Sequence, residues 1–199
     1  MKKTIPLISF YFIRHGQTDW NLKEMIQGWT DIPLNATGHT QARSAIPILS
    51  GKGISRIVAS PLIRAHKTAE IINEHLCVPL QVVDGLKERS VGVLEGTIKD
   101  RSIIATDWIY KAPIEKGEHV DEFKARVSNT LHEILDPEHT TLIIAHGGVY
   151  WAIMEMIGFR KQHFQRSHNC VPIFFIPPTD NKPSWTVYPL NIDPKIADH

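Results

Sequence analysis

Four short stretches of the sequence put chemically capable side chains directly behind apolar runs. Arg14-His15-Gly16 ends the first run, and Ser60-Pro61 follows the second with Arg64 shortly after. Glu88-Arg89 follows the third across a short loop, and His146-Gly147-Gly148 follows the fourth. Two arginines beside two histidines would form a pocket for a doubly charged anion, because guanidinium forks match phosphate oxygens in pairs and stay charged at working pH. Backbone amides at helix N-termini favour the same charge. A histidine ring nitrogen in such a pocket can attack phosphorus, and a nearby carboxylic acid can protonate the departing oxygen. The chemistry implied is phosphoryl transfer through a phosphohistidine, with Arg14, Arg64 and His146 stabilising the charge. Singly, each signal has an ordinary reading: a histidine after a strand is usually structural, and Glu88-Arg89 could be a solvated pair. Their shared position at strand ends sets them apart.

The elements that must position these groups alternate in type. Strand-like runs cover Leu7–Ile13, Arg56–Ala59, Leu80–Val83, Thr141–Ala145, Val171–Ile176 and, as an edge strand, Trp185–Tyr188. Between them, Leu62, Ala65, Ala69, Ile72 and Leu76 form one helical stripe, with Arg64 and Thr68 off it. Val120, Phe123, Val127, Leu131 and Ile134 form a second stripe. A helix over Gly38–Leu49 should break or kink at Pro47. Gly148–Ile157 is nearly all apolar and reads as a buried helix. This alternation predicts a single α/β domain over residues 1–199, a three-layer α/β/α sandwich around a mainly parallel sheet. Ligands of such sheets sit beyond the carboxyl ends of the strands, where the four stretches lie. Residues 97–118 read as a short cap-like excursion around Trp108, Ile109 and Tyr110, and residues 189–199 as a loose tail.

Composition narrows the functional classes. Lys plus Arg is 22 and Asp plus Glu is 21 in 199 residues, a formal charge of +1, so no excess draws the chain to nucleic acid or an anionic membrane. Lys2 and Lys3 before an apolar run imitate a signal peptide, but no small-residue cleavage site follows, and the run reads as a first buried strand. No stretch reaches the roughly 18 apolar residues of a membrane helix. Cys77 and Cys170 read as reduced, buried thiols, which fits a cytoplasmic setting. The 11 histidines include no metal-site spacing, and neither a phosphate-binding glycine loop nor a dinucleotide fingerprint is present, so neither metal nor cofactor is expected.

Beyond the first motif, the match to a known family is extensive. Arg14-His15-Gly16-Gln17-Thr18-Asp19-Trp20-Asn21 resembles the signature of the histidine phosphatase superfamily, whose fold is phosphoglycerate-mutase-like. Gln27-Gly28-Trp29-Thr30-Asp31-Ile32-Pro33-Leu34, Ala59-Ser60-Pro61-Leu62 with Arg64 and Thr68, Leu86-Lys87-Glu88 with Glu95-Gly96, and Ala145-His146-Gly147-Gly148 resemble its later blocks in order. The resemblance implies that His15 is the phosphorylated nucleophile and Glu88 the proton donor and later the base. It implies that Arg14, Arg64 and His146 hold the phosphoryl oxygens, with Asn21 and the Gly147 backbone as further contacts. Gln27 and Gly28 would line the substrate side. Gly147-Gly148 after the second histidine resembles the superfamily's first branch rather than its acid-phosphatase branch.

The family contains hydrolases and isomerases. The reading favoured here is a metal-independent phosphomonoester hydrolase acting on a small phosphate ester. A cofactor-dependent phosphoglycerate mutase is the alternative. Mutases of the family carry a long insertion with an arginine pair between the glutamate and the second histidine; here residues 89–145 number only 57 and contain no such pair. Val91 replaces the expected tyrosine, although Lys99 matches a family lysine. A non-catalytic phosphate-binding module is the third reading, opposed by the completeness of the five groups. His119 stands where the family often has serine. Substrate identity and oligomeric state are not legible.

Overall fold

The structure, a computed structural model, describes residues 4–98, 112–158 and 167–190. Among the described residues six strands form one sheet: β1 (Phe10–Arg14), β2 (Arg56–Ala59), β3 (Leu80–Val82), β4 (Thr141–Ala145), β5 (Ile173–Ile176) and β6 (Thr186–Pro189), in the spatial order β3-β2-β4-β1-β5-β6. The first four in that order run parallel. β5 is antiparallel to β1, and β6 is antiparallel to β5. The expected mainly parallel sheet is therefore present, with an antiparallel pair at one edge.

Side-chain alternation along the strands divides the core between two layers. Phe10, Phe12, Val58, Ile143 and Ala145 face one side, where they pack with Phe123, Val127 and Leu131 of α4 (Val120–Ile134) and with Val149 to Met154 of α5 (Gly147–Met156). Tyr11, Ile13, Ile57, Ala59, Leu142 and Ile144 face the other, against Ala42, Ala45 and Leu49 of α2 (Ala36–Leu49) and Ala65, Ala69 and Ile72 of α3 (Ile63–Leu76). These are the three layers of the sandwich. A short helix, α1 (Asp19–Leu22), follows β1. Stacked rings bind the antiparallel pair to the sheet: Phe10 on Phe175 at 4.6 Å and Tyr11 on Phe174 at 4.4 Å, each worth ~0.5–1.5 kcal/mol beyond burial.

Several boundaries differ from the sequence expectation. The first strand starts at Phe10, not Leu7, because its partners begin there: Phe10 pairs with Phe175 and Tyr11 with Leu142. Leu7 is instead 69% exposed, and the segment before the strand is tied to α4 by Ser128, whose hydroxyl donates to the Thr4 carbonyl. The helix expected to break or kink at Pro47 runs through it. It starts at Ala36 behind the Asn35 cap and reaches Leu49, so Pro47 sits in its last turn; it forfeits one i−4 hydrogen bond there, but only two helical residues follow it. Arg64 and Thr68 lie off the apolar stripe of α3 yet are fully buried, so the covered face is wider than the stripe. Cys170 is buried as expected, but Cys77 is exposed. Trp108, Ile109, Tyr110 and Lys99, most of the 97–118 excursion, and the tail from residue 191 lie outside the described residues. Among the described residues no helix is long and apolar enough to cross a membrane.

Candidate active site

β1, β2 and β4 lie side by side and parallel, with Arg14 opposite Ala145 and Ala59 opposite Ile144. The residues after them, His15, Ser60 and His146, therefore emerge together at one edge of the sheet. The rings of His15 and His146 lie 5.2 Å apart, centroid to centroid. His15 is 3% exposed, and its backbone is fixed on both sides: its N–H donates to the Ala145 carbonyl, and Asn169 donates to its own carbonyl at 2.6 Å. Nδ1 of the ring lies 2.8 Å from the Gly16 carbonyl. A carbonyl only accepts, so Nδ1 carries the hydrogen and the lone pair sits on Nε2. The turn after His15 is pressed against α2. A Cβ on Gly16 would lie 2.5 Å from the Gly38 carbonyl oxygen, so only glycine fits there. The Gly16 N–H donates to Thr68, and the Gln17 N–H donates to Gln41.

Arg64 opens α3. The helix has no side-chain cap of its own at Leu62; the Asp31 carboxylate accepts the Ile63 N–H at 2.7 Å instead. The guanidinium is completely buried and donates to the carbonyls of Thr30 at 3.0 Å and Gly28 at 2.7 Å. Its Nε has no partner among the described residues. Burial pulls its pKa down to about 10, partly opposed by Glu88, Asp31 and Glu95, so it remains a cation at neutral pH. The loop that supplies the two carbonyls is itself anchored. Glu95 accepts the N–H groups of Trp29 and Thr30 at 3.0 and 2.9 Å and the Thr30 hydroxyl at 2.7 Å. Gly28 takes φ +54°, and a Cβ there would strike the Glu95 carboxylate. Arg14 donates to the Ser167 carbonyl from beside the same pocket.

His146 precedes α5 and is completely buried. Burial, then repulsion from Arg64, from His15 whenever that ring is protonated, and from Arg14 and Arg126, holds its pKa well below the usual histidine range, so the ring is neutral. Its Nε2 lies 2.7 Å from Ser60 Oγ, while Nδ1 has no partner among the described residues. Ser60 Oγ also accepts the Leu62 N–H at 3.3 Å, and its hydroxyl hydrogen can be donated to Nε2. With the hydrogen bond in that direction, His146 carries its own hydrogen on Nδ1, a donor turned to the cationic pocket.

Glu88 approaches from the loop after β3. One carboxylate oxygen accepts the Arg89 N–H at 2.8 Å, and the other accepts the Gly148 N–H at 2.9 Å, in the first turn of α5. The carboxyl group is thus fixed at the N-terminus of the helix that His146 precedes. Asn21 is tied into its own turn: its carbonyl oxygen accepts the Thr18 N–H at 3.1 Å and the Thr18 hydroxyl at 3.2 Å, leaving its amide hydrogens for any further contact. Gln27 precedes the Gly28 turn with a buried Oε1 that has no partner among the described residues. Gly28 is buried, and its carbonyl receives Arg64. Gly147 opens α5 directly after His146. Sequence reasoning gave no role to Thr68, Asp31, Glu95 or Gln41. For Thr68 and Arg64 a signal existed, two polar side chains four apart on one helix, adjoining its apolar face. Among the described residues no cluster of three His, Cys, Asp or Glu side chains could hold a metal ion.

Comparison with known proteins identifies the family. The model of the histidine phosphatase superfamily (branch 1) matches residues 10–172. The chain belongs to this family. It is 41% identical over 148 residues to the "uncharacterized phosphatase PhoE" of Bacillus subtilis (strain 168), covering 73% of this chain and 75% of that protein. It is 32% identical over 151 residues to the "probable phosphoglycerate mutase GpmB" of Serratia proteamaculans (strain 568), covering 71% and 70%. The solved structure of YhfR from Bacillus stearothermophilus superposes with a TM-score of 0.78 at 25% identity, covering 94% of this chain and 98% of that one. The fold is phosphoglycerate-mutase-like, and relatives of both the hydrolase and the mutase kind carry it.

Proposed function

We propose that this protein hydrolyses small phosphate monoesters through a phosphohistidine on His15. The observation that carries the reading is the setting of His15: its Nδ1 lies 2.8 Å from the Gly16 carbonyl, which assigns the lone pair to Nε2, and its ring lies 5.2 Å from that of His146. In the first step Nε2 attacks phosphorus and the P–O bond to the alcohol breaks. Protonated Glu88 gives its hydrogen to the departing oxygen. In the second step water attacks phosphorus, the P–N bond breaks, and the Glu88 carboxylate takes the water's proton. Arg14, the Nε and fork of Arg64, and Nδ1–H of His146 stabilise the charge that develops on the equatorial oxygens. Asn21, Gln27 and the Gly147 backbone are assigned to the rim of the same pocket. The relative named as a phosphatase supports hydrolysis, and so does the short span between Glu88 and His146.

The mutase reading rests on the relative named as a mutase. Both readings share the phosphoenzyme and differ in its acceptor. The deciding experiment is hydrolysis of 4-nitrophenyl phosphate in excess chelator, parent beside His15→Ala. Turnover in the parent and its loss in the variant is the expected result. No turnover in the parent, or turnover in His15→Ala within about tenfold of it, would overturn the proposal, since a nucleophile has no substitute worth only one order of magnitude.

A further inference from the structure

The segment that carries Glu88 is held by a group that the chemistry above does not use. Arg126, on α4, donates to three carbonyls of this segment: Gly85 at 2.9 Å, Lys87 at 3.0 Å and Glu88 itself at 3.2 Å. Glu118 fixes the guanidinium in a two-pronged pair, Nε to Oε1 at 2.8 Å and Nη2 to Oε2 at 2.7 Å. The Glu118 main chain is bonded to the same stretch, its N–H to Ser90 and its carbonyl to the side chain of Arg89. A second donor reaches the Glu88 carbonyl from the loop that cradles Arg64: Trp29 Nε1, at 2.6 Å. The fit leaves no slack. A Cβ on Gly85 would lie 1.8 Å from Thr130 Oγ1 of α4.

This arrangement is costly if packing is its only purpose. The side chains of Arg126 and Glu118 are only 22% and 14% exposed, and an apolar pair of similar volume often stabilises as well or better than a buried ion pair. Here the guanidinium is directed at the carbonyls around one carboxyl-bearing residue, and the Glu118 carboxylate orients it. A reacting group displaced by about 1 Å can lose about a hundredfold in rate. We propose that Arg126, oriented by Glu118, and Trp29 are positioning residues that hold Glu88 at the reach its proton transfer requires. Trp29 also couples the acid to the Arg64 cradle, because Gly28 and Thr30 on either side of it supply the two carbonyls that receive Arg64.

The inference rests on Glu88 being the proton donor, and its test separates the two claims. The readout is the ratio of kcat/KM for an alkyl phosphate, whose alkoxide needs a proton, to kcat/KM for 4-nitrophenyl phosphate, whose phenolate does not; kcat/KM reports the departure of the leaving group and not the water step that the two substrates share. Glu88→Gln, Arg126→Met, Trp29→Phe and the double variant Glu88→Gln/Arg126→Met are compared with the parent. The expected result is a ratio lower by about tenfold or more in Arg126→Met and Trp29→Phe, part of the ~10²–10⁴ that a positioned acid contributes. The double variant should have the ratio of Glu88→Gln alone. Parallel losses on both substrates in Arg126→Met and Trp29→Phe, beside a lowered ratio in Glu88→Gln, would overturn the positioning role and leave Glu88 as the acid. An unchanged ratio in Glu88→Gln would remove the acid itself and the proposal with it. Trp29 is 45% exposed, so its variant keeps the test open if Arg126→Met fails to fold.

Discussion

Glu95→Gln tests the idea that a carboxylate outside the reacting groups sets the anion-binding strength of the pocket. One oxygen of Glu95 accepts the Trp29 N–H, with the Val91 N–H farther off at 3.3 Å, and the other accepts the N–H and hydroxyl of Thr30. Glutamine keeps the shape but turns one oxygen into a donor. Placed at the first oxygen, its NH₂ faces the amides of Trp29 and Val91. Placed at the second, it faces the amide of Thr30, whose hydroxyl alone can rotate to accept. Either way at least one backbone N–H loses an ionised acceptor, worth about 1.5–3 kcal/mol, and the remaining bonds lose their charge. A loss of ~2–4 kcal/mol on this loop follows. The loop delivers the Gly28 and Thr30 carbonyls to Arg64, so its open form should gain at least about 30-fold in weight relative to its closed form. The assays are urea unfolding and inhibition by vanadate, an oxyanion that takes the place of the phosphoryl group. The expected outcome is weaker vanadate inhibition, whether or not the loss reaches the global midpoint, since a loop can open alone. Vanadate inhibition and stability both unchanged from the parent would refute the latch.

Two further predictions come from the His146 site. Its pKa is depressed in the fold, so the unfolded chain binds its proton first and stability should fall as pH drops below the ordinary histidine value of about 6.5, by up to ~1.4 kcal/mol per pH unit. Urea unfolding between pH 7.5 and 5 should therefore show a steeper loss in the parent than in His146→Asn; equal slopes would mean that His146 is not buried neutral. If the Ser60 hydroxyl is the donor to His146 Nε2, histidine ¹⁵N spectra should show Nδ1 protonated in the parent, and Ser60→Ala removes that donor. Vanadate affinity should then fall about 2- to 10-fold in the variant, the worth of one neutral hydrogen bond. A parent spectrum with Nε2 protonated would reverse the assigned direction of that bond.

The layers of the fold were legible because they depend on local patterns. Apolar runs in β1, β2 and β4 and a step of three or four in α3 and α4 are properties of neighbouring residues, and the sheet follows from their alternation. Boundaries were less legible because partners set them. Nothing within Leu7-Ile8-Ser9 says that no strand lies opposite; the register of β4 and β5 against Phe10 does. Pro47 misled for a related reason. How much helix it can disturb depends on how many residues follow it, and the helix end is fixed by the chain leaving through Ser50, which no local propensity shows.

The candidate site divides in the same way. Arg14, His15, Arg64, Glu88 and His146 could be placed together because each stands at a strand end or in the turn after it, and parallel strands bring such ends to one edge. Their supports could not. Asp31 caps α3 from 32 residues away, Glu95 anchors the 28–30 loop from 65 or 66, and Arg126 holds Glu88 from 38. Each support is a polar side chain bonded to the main chain of a distant loop, and such a bond leaves no period in the sequence. Arg126 shows the consequence most sharply. On α4 it lies off the apolar stripe and reads as a solvated residue of an amphipathic helix, yet its guanidinium meets three carbonyls and a carboxylate. The sequence pattern therefore points to the groups that could react, while the groups that fix their geometry emerge only when the loops are seen against the helices.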